Sequence, residues 1–394
     1  MTLPAIDQMQ YSDGHGSDRA RAFALVAQGQ AHSRPEIGAA LGLRSTTTSR
    51  LVGDLVERRL LLETAGQKAG RGRPAGLLIA NPRRIGASVI HVASQSLVGA
   101  LVDLDGQLLE ERVVEIASDA DNSLIAKVMA TIGAELLAAM PRGMEHAGTA
   151  VSLSGLLDLR RKQWLMSSRW PNLRGLDVGT ALGDVARPVV VCRNLDAELR
   201  ARMAQDSEQF SDGALLLHWG WGIGLGYAIG GRSLAPPGGS FGEVGHWRFA
   251  ALDGRRCGCG NTACLETGAA LWSLLPDMRR HWPDLAEDEN RLYRQLARCD
   301  LTSLPEIDTA AQLLARALAN ASRLLFPTRI IVTGPFVANA QLWAHFDALF
   351  RAEGTMHGLM MPELVSDRSS RQYEVQGAAA PLLSKALEAQ LQGA

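Results

Sequence analysis

Three thiols fall within eight residues, at Cys257, Cys259 and Cys264, and one imidazole, His246, stands eleven residues before the first of them. The other two cysteines, Cys192 and Cys299, lie far away along the chain. Closely spaced thiols on a Gly-rich loop, with one imidazole, match the four soft ligands that a tetrahedral Zn2+ takes. A closed Cys3His set leaves no position for a reacting water, so the metal is expected to be structural and to tie this loop to itself. A disulfide competes poorly, because Cys-x-Cys is too tight for an easy internal bridge, an odd thiol is left over, and the N-terminus carries no secretory signal.

A chain of 394 residues is too long for one small core, and two or three domains are expected. No apolar run reaches the roughly 20 residues needed to span a bilayer, so no membrane is expected as a partner. A cytoplasmic location follows from this and from reduced thiols. Net charge is −1, yet its distribution is uneven. Between Ser17 and Arg84 there are twelve Lys and Arg against five Asp and Glu. That basic end is the candidate nucleic-acid face.

Residues 1–16 show no sustained period and are expected to be a flexible tail. From Arg19, apolar residues recur at helical spacing through Phe23, Val26 and Ala27, with Gly29 as a stop. Ser33-Arg-Pro35-Glu36 reads as a capping box opening a short helix that Gly42 ends. A third helix begins near Ser45 and buries Thr48, Leu51, Val52 and Leu55, leaving Ser45, Thr46, Thr47, Ser49 and Arg50 outward. Short hydroxyls and one Arg let a helix N-terminus approach phosphates and base edges in a groove. Leu60–Glu63 and Leu77–Ile79 then read as a two-stranded wing, with Arg71 and Arg73 at a Gly-rich tip suited to a minor groove. Residues 17–84 are thus expected to be a winged helix-turn-helix that binds double-stranded operator DNA and folds on its own.

From Ile85 onward short apolar runs alternate with helical stretches, an α/β pattern. Gly220-Trp-Gly222-Ile-Gly224-Leu-Gly226 follows an apolar strand at Ala214–His218, where backbone amides could approach a ligand. Gly242-Glu243-Val-Gly-His246 precedes the cysteines and Glu266 follows them. With Ser154-Gly-Leu-Leu-Asp158, Trp170-Pro-Asn172-Leu173, Ile331-Val-Thr-Gly334 and Gly377-Ala-Ala, the pattern resembles the ROK family of bacterial sugar repressors and sugar kinases over nearly the whole chain. The resemblance implies a two-lobed, actin-like (ribonuclease H-like) sugar-kinase body behind the winged helix. It implies a small lobe at about 85–195 completed by a C-terminal helix at about 375–394, and a large lobe at about 196–374 holding the metal loop 246–266. It also implies that Glu243, His246 and Glu266 hold sugar hydroxyls, with Asn172, Arg193 and Asn194 as further cleft contacts. The chemistry agrees, since carboxylates accept from vicinal hydroxyls and a metal-bound imidazole donates through its other nitrogen.

Kinases of that family resemble Asp-x-Gly-Gly-Thr-Lys in the first strand turn, where this chain reads His91-Val-Ala-Ser-Gln95-Ser96. Their catalytic aspartate aligns without gaps to Asn194, or with a one-residue gap to Leu195; neither supplies a carboxylate, and Asp196 would need an insertion to serve. Trp221 stands where a small hydroxyl residue is usual. Sensing without phosphoryl transfer is therefore expected, as a homodimer or homotetramer repressing carbohydrate genes. A kinase with an appended DNA-binding domain and a ligand-independent DNA-binding protein are the alternatives. Arg193 in the cleft suggests that the effector is a sugar or an anionic sugar derivative, unless that Arg pairs internally with a nearby acid.

Overall fold

The computed structural model describes residues 18–64, 76–184, 186, 188–234 and 241–392. Helices α1 (Asp18–Ala27), α2 (Arg34–Leu41) and α3 (Ser45–Glu57) are followed by strands β1 (Leu61–Thr64) and β2 (Leu77–Ala80). The capping box forms: Ser33 accepts from Glu36 N, and Glu36 Oε2 accepts from His32 N at 2.6 Å. Helices α2 and α3 meet where Gly38 faces Thr48, with room for a hydrogen and little more, since a Cβ there would lie 3.0 Å from Thr48 Oγ1. Thr48, Val52 and Leu55 are buried, and Leu51 is half-buried. Strands β1 and β2 pair antiparallel, Leu61 opposite Ala80 and Thr64 opposite Leu77. Arg71 and Arg73 lie outside the described residues.

The body repeats one topology twice. In the first half come β3 (Ile85–Ala93), β4 (Ser96–Asp103), β5 (Leu108–Glu115), α4 (Asn122–Ala138) and β6 (Glu145–Leu153). A small three-stranded sheet follows, β7 (Leu156–Asp158), β8 (Gln163–Met166) and β9 (Leu176–Asp177), then α5 (Val178–Leu182) and β10 (Val189–Arg193). In the second half come α6 (Asn194–Gln205), β11 (Ala214–Trp219), β12 (Ile223–Ile229), β13 (Arg232–Ser233), α7 (Glu266–Ala269), α8 (Leu271–His281) and α9 (Glu289–Leu296). Then follow α10 (Pro305–Leu325), β14 (Arg329–Thr333), α11 (Ala340–Gly354), β15 (Glu363–Ser366) and α12 (Arg371–Gln392). The sheets run β5-β4-β3-β6-β10 and β13-β12-β11-β14-β15, each with three antiparallel strands and two parallel ones reached by crossovers.

Burial explains which strand sits where. Central β3 is buried along nearly all its length, whereas edge strand β5 alternates and keeps Glu111 and Glu115 in solvent. The large lobe closes around Trp219, whose indole stacks on Phe336 at 4.7 Å. This is the expected α/β architecture: an N-terminal winged helix-turn-helix on a two-lobed, actin-like body. Among the described residues no helix is long and apolar enough to cross a membrane.

Two boundaries differ from expectation. Helix α12 begins at Arg371, one turn before residue 375, because its first turn is polar and carries no apolar period. The core of the head is also continuous with that of the body. Phe23, Ile37, Leu55 and Leu78 share one apolar cluster with Ile85 and Val102 of the first sheet and Leu383, Leu387 and Leu391 of α12. Each such side chain contributes roughly 1.5–3 kcal/mol on burial, so an isolated winged helix would lose part of what folds it. The C-terminal carbonyls of α12, orphaned by the end of the helix, are taken up by the head. Arg19 Nη1 donates to Leu391 O at 2.8 Å and Arg58 Nη1 to Gln390 O at 3.2 Å.

Candidate ligand cleft and metal centre

The four sulfur and nitrogen ligands converge. His246 Nδ1 is 3.6 Å from Cys257 Sγ, Cys259 Sγ is 3.7 Å from Cys264 Sγ, and all four ligand atoms lie within 4.8 Å of one another. With Zn–S near 2.3 Å and Zn–N near 2.0 Å, a tetrahedral ion places sulfurs about 3.8 Å apart and a sulfur–nitrogen pair about 3.5 Å apart. The residues present therefore fit a four-coordinate cation. A tight turn sets the thiols, with Cys257 N donating to Asn261 O at 2.9 Å and Gly260 N to Cys257 O at 3.1 Å. Burial raises the thiols of Cys257 and Cys264, so a cation is what would hold them as thiolates.

The same loop aims its side chains at the cleft. Gly242 and Gly245 run against the backbone of β12, where a Cβ would meet Leu225 O at 2.0 Å and Ile223 O at 2.4 Å. Only glycine allows that approach, and it places Glu243 and His246 at the mouth between the lobes. With Nδ1 turned to the thiols, His246 Nε2 faces Glu243 Oε2 at 3.9 Å. Glu266, following Cys264 by two residues, accepts from Ile223 N at 3.0 Å, and burial raises its carboxyl. Glu243, His246, Glu266, Arg193 and Asn194 line one cleft of about 480 Å³.

Two expected contacts need correction. Asn172 is exposed on a turn outside the cleft, where its amide donates to Asp119 O at 2.8 Å. Its motif serves the fold of that turn. Arg193 lines the cleft but is only 5% exposed, and its donors go to Phe241 O and, at 3.2 Å, to Leu225 O. Asp196 Oδ1 lies 3.8 Å away. The internal role weighed for Arg193 is thus the one observed, clamping α6 to the Gly-Glu-x-Gly-His segment. Asp196 is 2% exposed and does not line the cleft, and burial raises its carboxyl.

The other half of the cleft was not anticipated. In the Gly-rich loop, Trp221 N donates to Glu289 Oε1 at 2.7 Å, so a carboxylate of the chain itself occupies an amide available in principle to a ligand. Glu289 also meets His218 Nε2 at 3.1 Å and Arg169 Nη2 at 3.4 Å. Burial alone would raise this carboxyl, but His218 and Arg169 outweigh it and bring it down to about 2. Burial opposes the His218 imidazolium, Glu289 favours it more, and its pKa is raised. The guanidinium of Arg169 lies 3.8 Å over the Trp221 ring, joining the lobes. Where kinases keep a phosphate loop, β3 and β4 are joined by a two-residue turn whose Ser94 Oγ donates to Asp288 Oδ2 at 2.8 Å.

At the cleft floor, burial pushes Glu374 up to about 8, and Ser152 Oγ donates to it at 2.7 Å. Burial and then Arg371 push His91 down to about 4. Both are neutral at pH 7, so their 3.9 Å approach is not an ion pair. Unfolding returns Glu374 from about 8 to 4.5. Between those values the folded chain holds a proton that the unfolded chain has lost, so this contribution to stability, full below pH 4.5, is lost as pH rises to about 8. Glu374→Gln is expected to unfold near the wild-type temperature at pH 5 and several degrees above it at pH 8. Equal differences at both pH values in thermal melts would contradict this assignment.

On the head, Ser45, Thr46, Ser49 and Arg50 are exposed and Thr47 is half-buried at the N-terminal end of α3. No side chain caps that end, which leaves first-turn amides open to an anion.

Fold and site together define a sugar-kinase-type two-lobed body carrying a winged helix and a Cys3His cluster that could hold a metal. The ROK family description matches residues 89–382, and the chain belongs to that family. It is 23% identical over 332 residues to the DNA-binding transcriptional repressor Mlc of Escherichia coli (strain K12), covering 81% of each chain. To the xylose repressor of Bacillus subtilis (strain 168) it is 22% identical over 359 residues, 90% of this chain and 87% of that one. A solved ROK family transcriptional regulator, a homolog of the E. coli Mlc protein, superposes with a TM-score of 0.70 at 23% identity over 99% of this chain and 98% of that one. Solved sugar kinases of the family match 75% of this chain.

Proposed function

We propose that the protein is a sugar-responsive transcriptional repressor of carbohydrate genes, cytoplasmic and homodimeric or homotetrameric, whose body has lost phosphoryl transfer. One observation carries this reading: α12 runs from the ligand cleft to the DNA-binding head. Its first turn brings Arg371 and Glu374 to the cleft wall, and its last turn is gripped by Arg19 and Arg58. A sugar held by Glu243, His246, Glu266 and Asn194 would favour one lobe arrangement, and α12 would pass that difference to the spacing of two heads on a palindromic operator. Zn2+ on His246, Cys257, Cys259 and Cys264 would hold the loop that presents those groups. Ser45, Thr46, Thr47, Ser49 and Arg50 would meet the major groove, with Arg71 and Arg73 in the minor groove.

Support for lost catalysis is threefold. Asn194 stands where the resemblance places the base, Asp196 is sealed away, and Glu289 with Trp221 fills the region assigned to phosphate. A coupled ATP assay over a hexose panel, run beside thermal-shift titration with the same sugars, tests the reading. Stabilisation by a sugar without turnover is expected; turnover at the about 1–100 per second typical of kinases would overturn it.

A further inference from the structure

With Arg193 engaged by backbone carbonyls, a second buried guanidinium that lines the cleft keeps a donor for a ligand. Arg169 is 6% exposed and lines the cleft. Its Nη2 faces Glu289 and its plane covers the Trp221 ring, but its Nη1 is buried with no hydrogen-bond partner among the described residues. The indole Nε1 of Trp221 is buried and likewise has no partner among the described residues. Two such buried donors are destabilising unless an acceptor reaches them. Glu289 does not supply it: its oxygens go to Trp221 N, His218 and Arg169 Nη2. Arg294, Arg368 and Arg371 line the same cleft, beside Glu243, Glu266 and Glu374.

We propose that the cleft recognises an oxyanion on its sugar, a carboxylate or a phosphate ester, through Arg169 Nη1 and Trp221 Nε1. A charged acceptor on a guanidinium is among the stronger hydrogen bonds a dry site can form, and an indole donor beside it fixes direction. Trp221 and Glu289, which fill the space assigned to nucleotide phosphate, thereby become the backing of a new subsite. This inference rests on the sugar-sensor reading.

The test is calorimetry on the full chain with matched sets: glucose, galactose and mannose, each as the neutral sugar, the 6-carboxylate and the 6-phosphate. One anionic member is expected to bind at least ten-fold tighter than its neutral parent, and whether it is the carboxylate or the phosphate identifies the source of the oxyanion. Arg169→Gln is expected to erase that preference, read within the variant as the ratio of the neutral and anionic Kd values. Trp221→Phe, which keeps the ring and removes only the donor, is expected to lower the preference about three-fold and guards against a misfolded Arg169 variant. Neutral sugars binding as tightly as anionic ones, or a preference unchanged in both variants, would overturn the proposal alone. If no member binds, the sensor reading falls with it.

Discussion

Cys264→Ala is expected to release the metal and the sugar site together. Cys264 is fully buried, its carbonyl receives Thr267 N at 2.9 Å, and Glu266 follows it by two residues at the start of α7. Removing one thiolate leaves three ligands for a closed tetrahedral site, and the loop loses the tie that holds His246 Nε2 toward the cleft. Loss of a structural metal belongs with the largest single-site effects, above about 4 kcal/mol. Metal analysis should fall from one equivalent per chain to less than a tenth, and sugar titrations should show no saturable heat. Cys257→Ala is expected to behave alike. A variant that keeps a full equivalent of metal would remove Cys264 from the ligand set.

The second large effect is expected at the other end of the molecule. Leu387 and Leu391 are 0% and 1% exposed, in the cluster where α12, the first sheet and the head meet. Leu→Ala at such sites costs about 2–5 kcal/mol each, and because the two are neighbours on one helix their costs need not add. Most of that loss falls on docking of the head. The double variant is expected to bind metal and sugar like the wild type, to be cut by protease in the head at least ten-fold faster, and to bind DNA with no response to sugar. A wild-type response in this variant would mean that α12 is not the route between the sites.

What the sequence disclosed follows from how local each signal was. Cysteine spacing, the Ser33 capping box and the hydroxyl-rich start of α3 are short-range patterns, and each carries its geometry with it. The cluster of Arg169, His218, Trp221 and Glu289 draws on three separated segments and has no period or motif to announce it. Arg193 shows a different limit. Sequence placed it in the cleft, but only the backbone path of 225 and 241 decides which acceptors its donors meet. Asn172 sits inside a family motif, yet it stabilises a turn by binding Asp119 O. The polar first turn of α12 hid from apolar periodicity the residues by which that helix reaches the cleft.

If cleft and head form one coupled system, the influence must run both ways with the same magnitude. The most direct measurement is therefore a pair of titrations on the full chain: operator affinity with and without saturating sugar, and sugar affinity with and without saturating operator. The two ratios are expected to agree and to lie between about 5 and 150. Two ratios of one, with both ligands bound, would show a DNA-binding head and a sugar cleft that share a chain and a core but not a function.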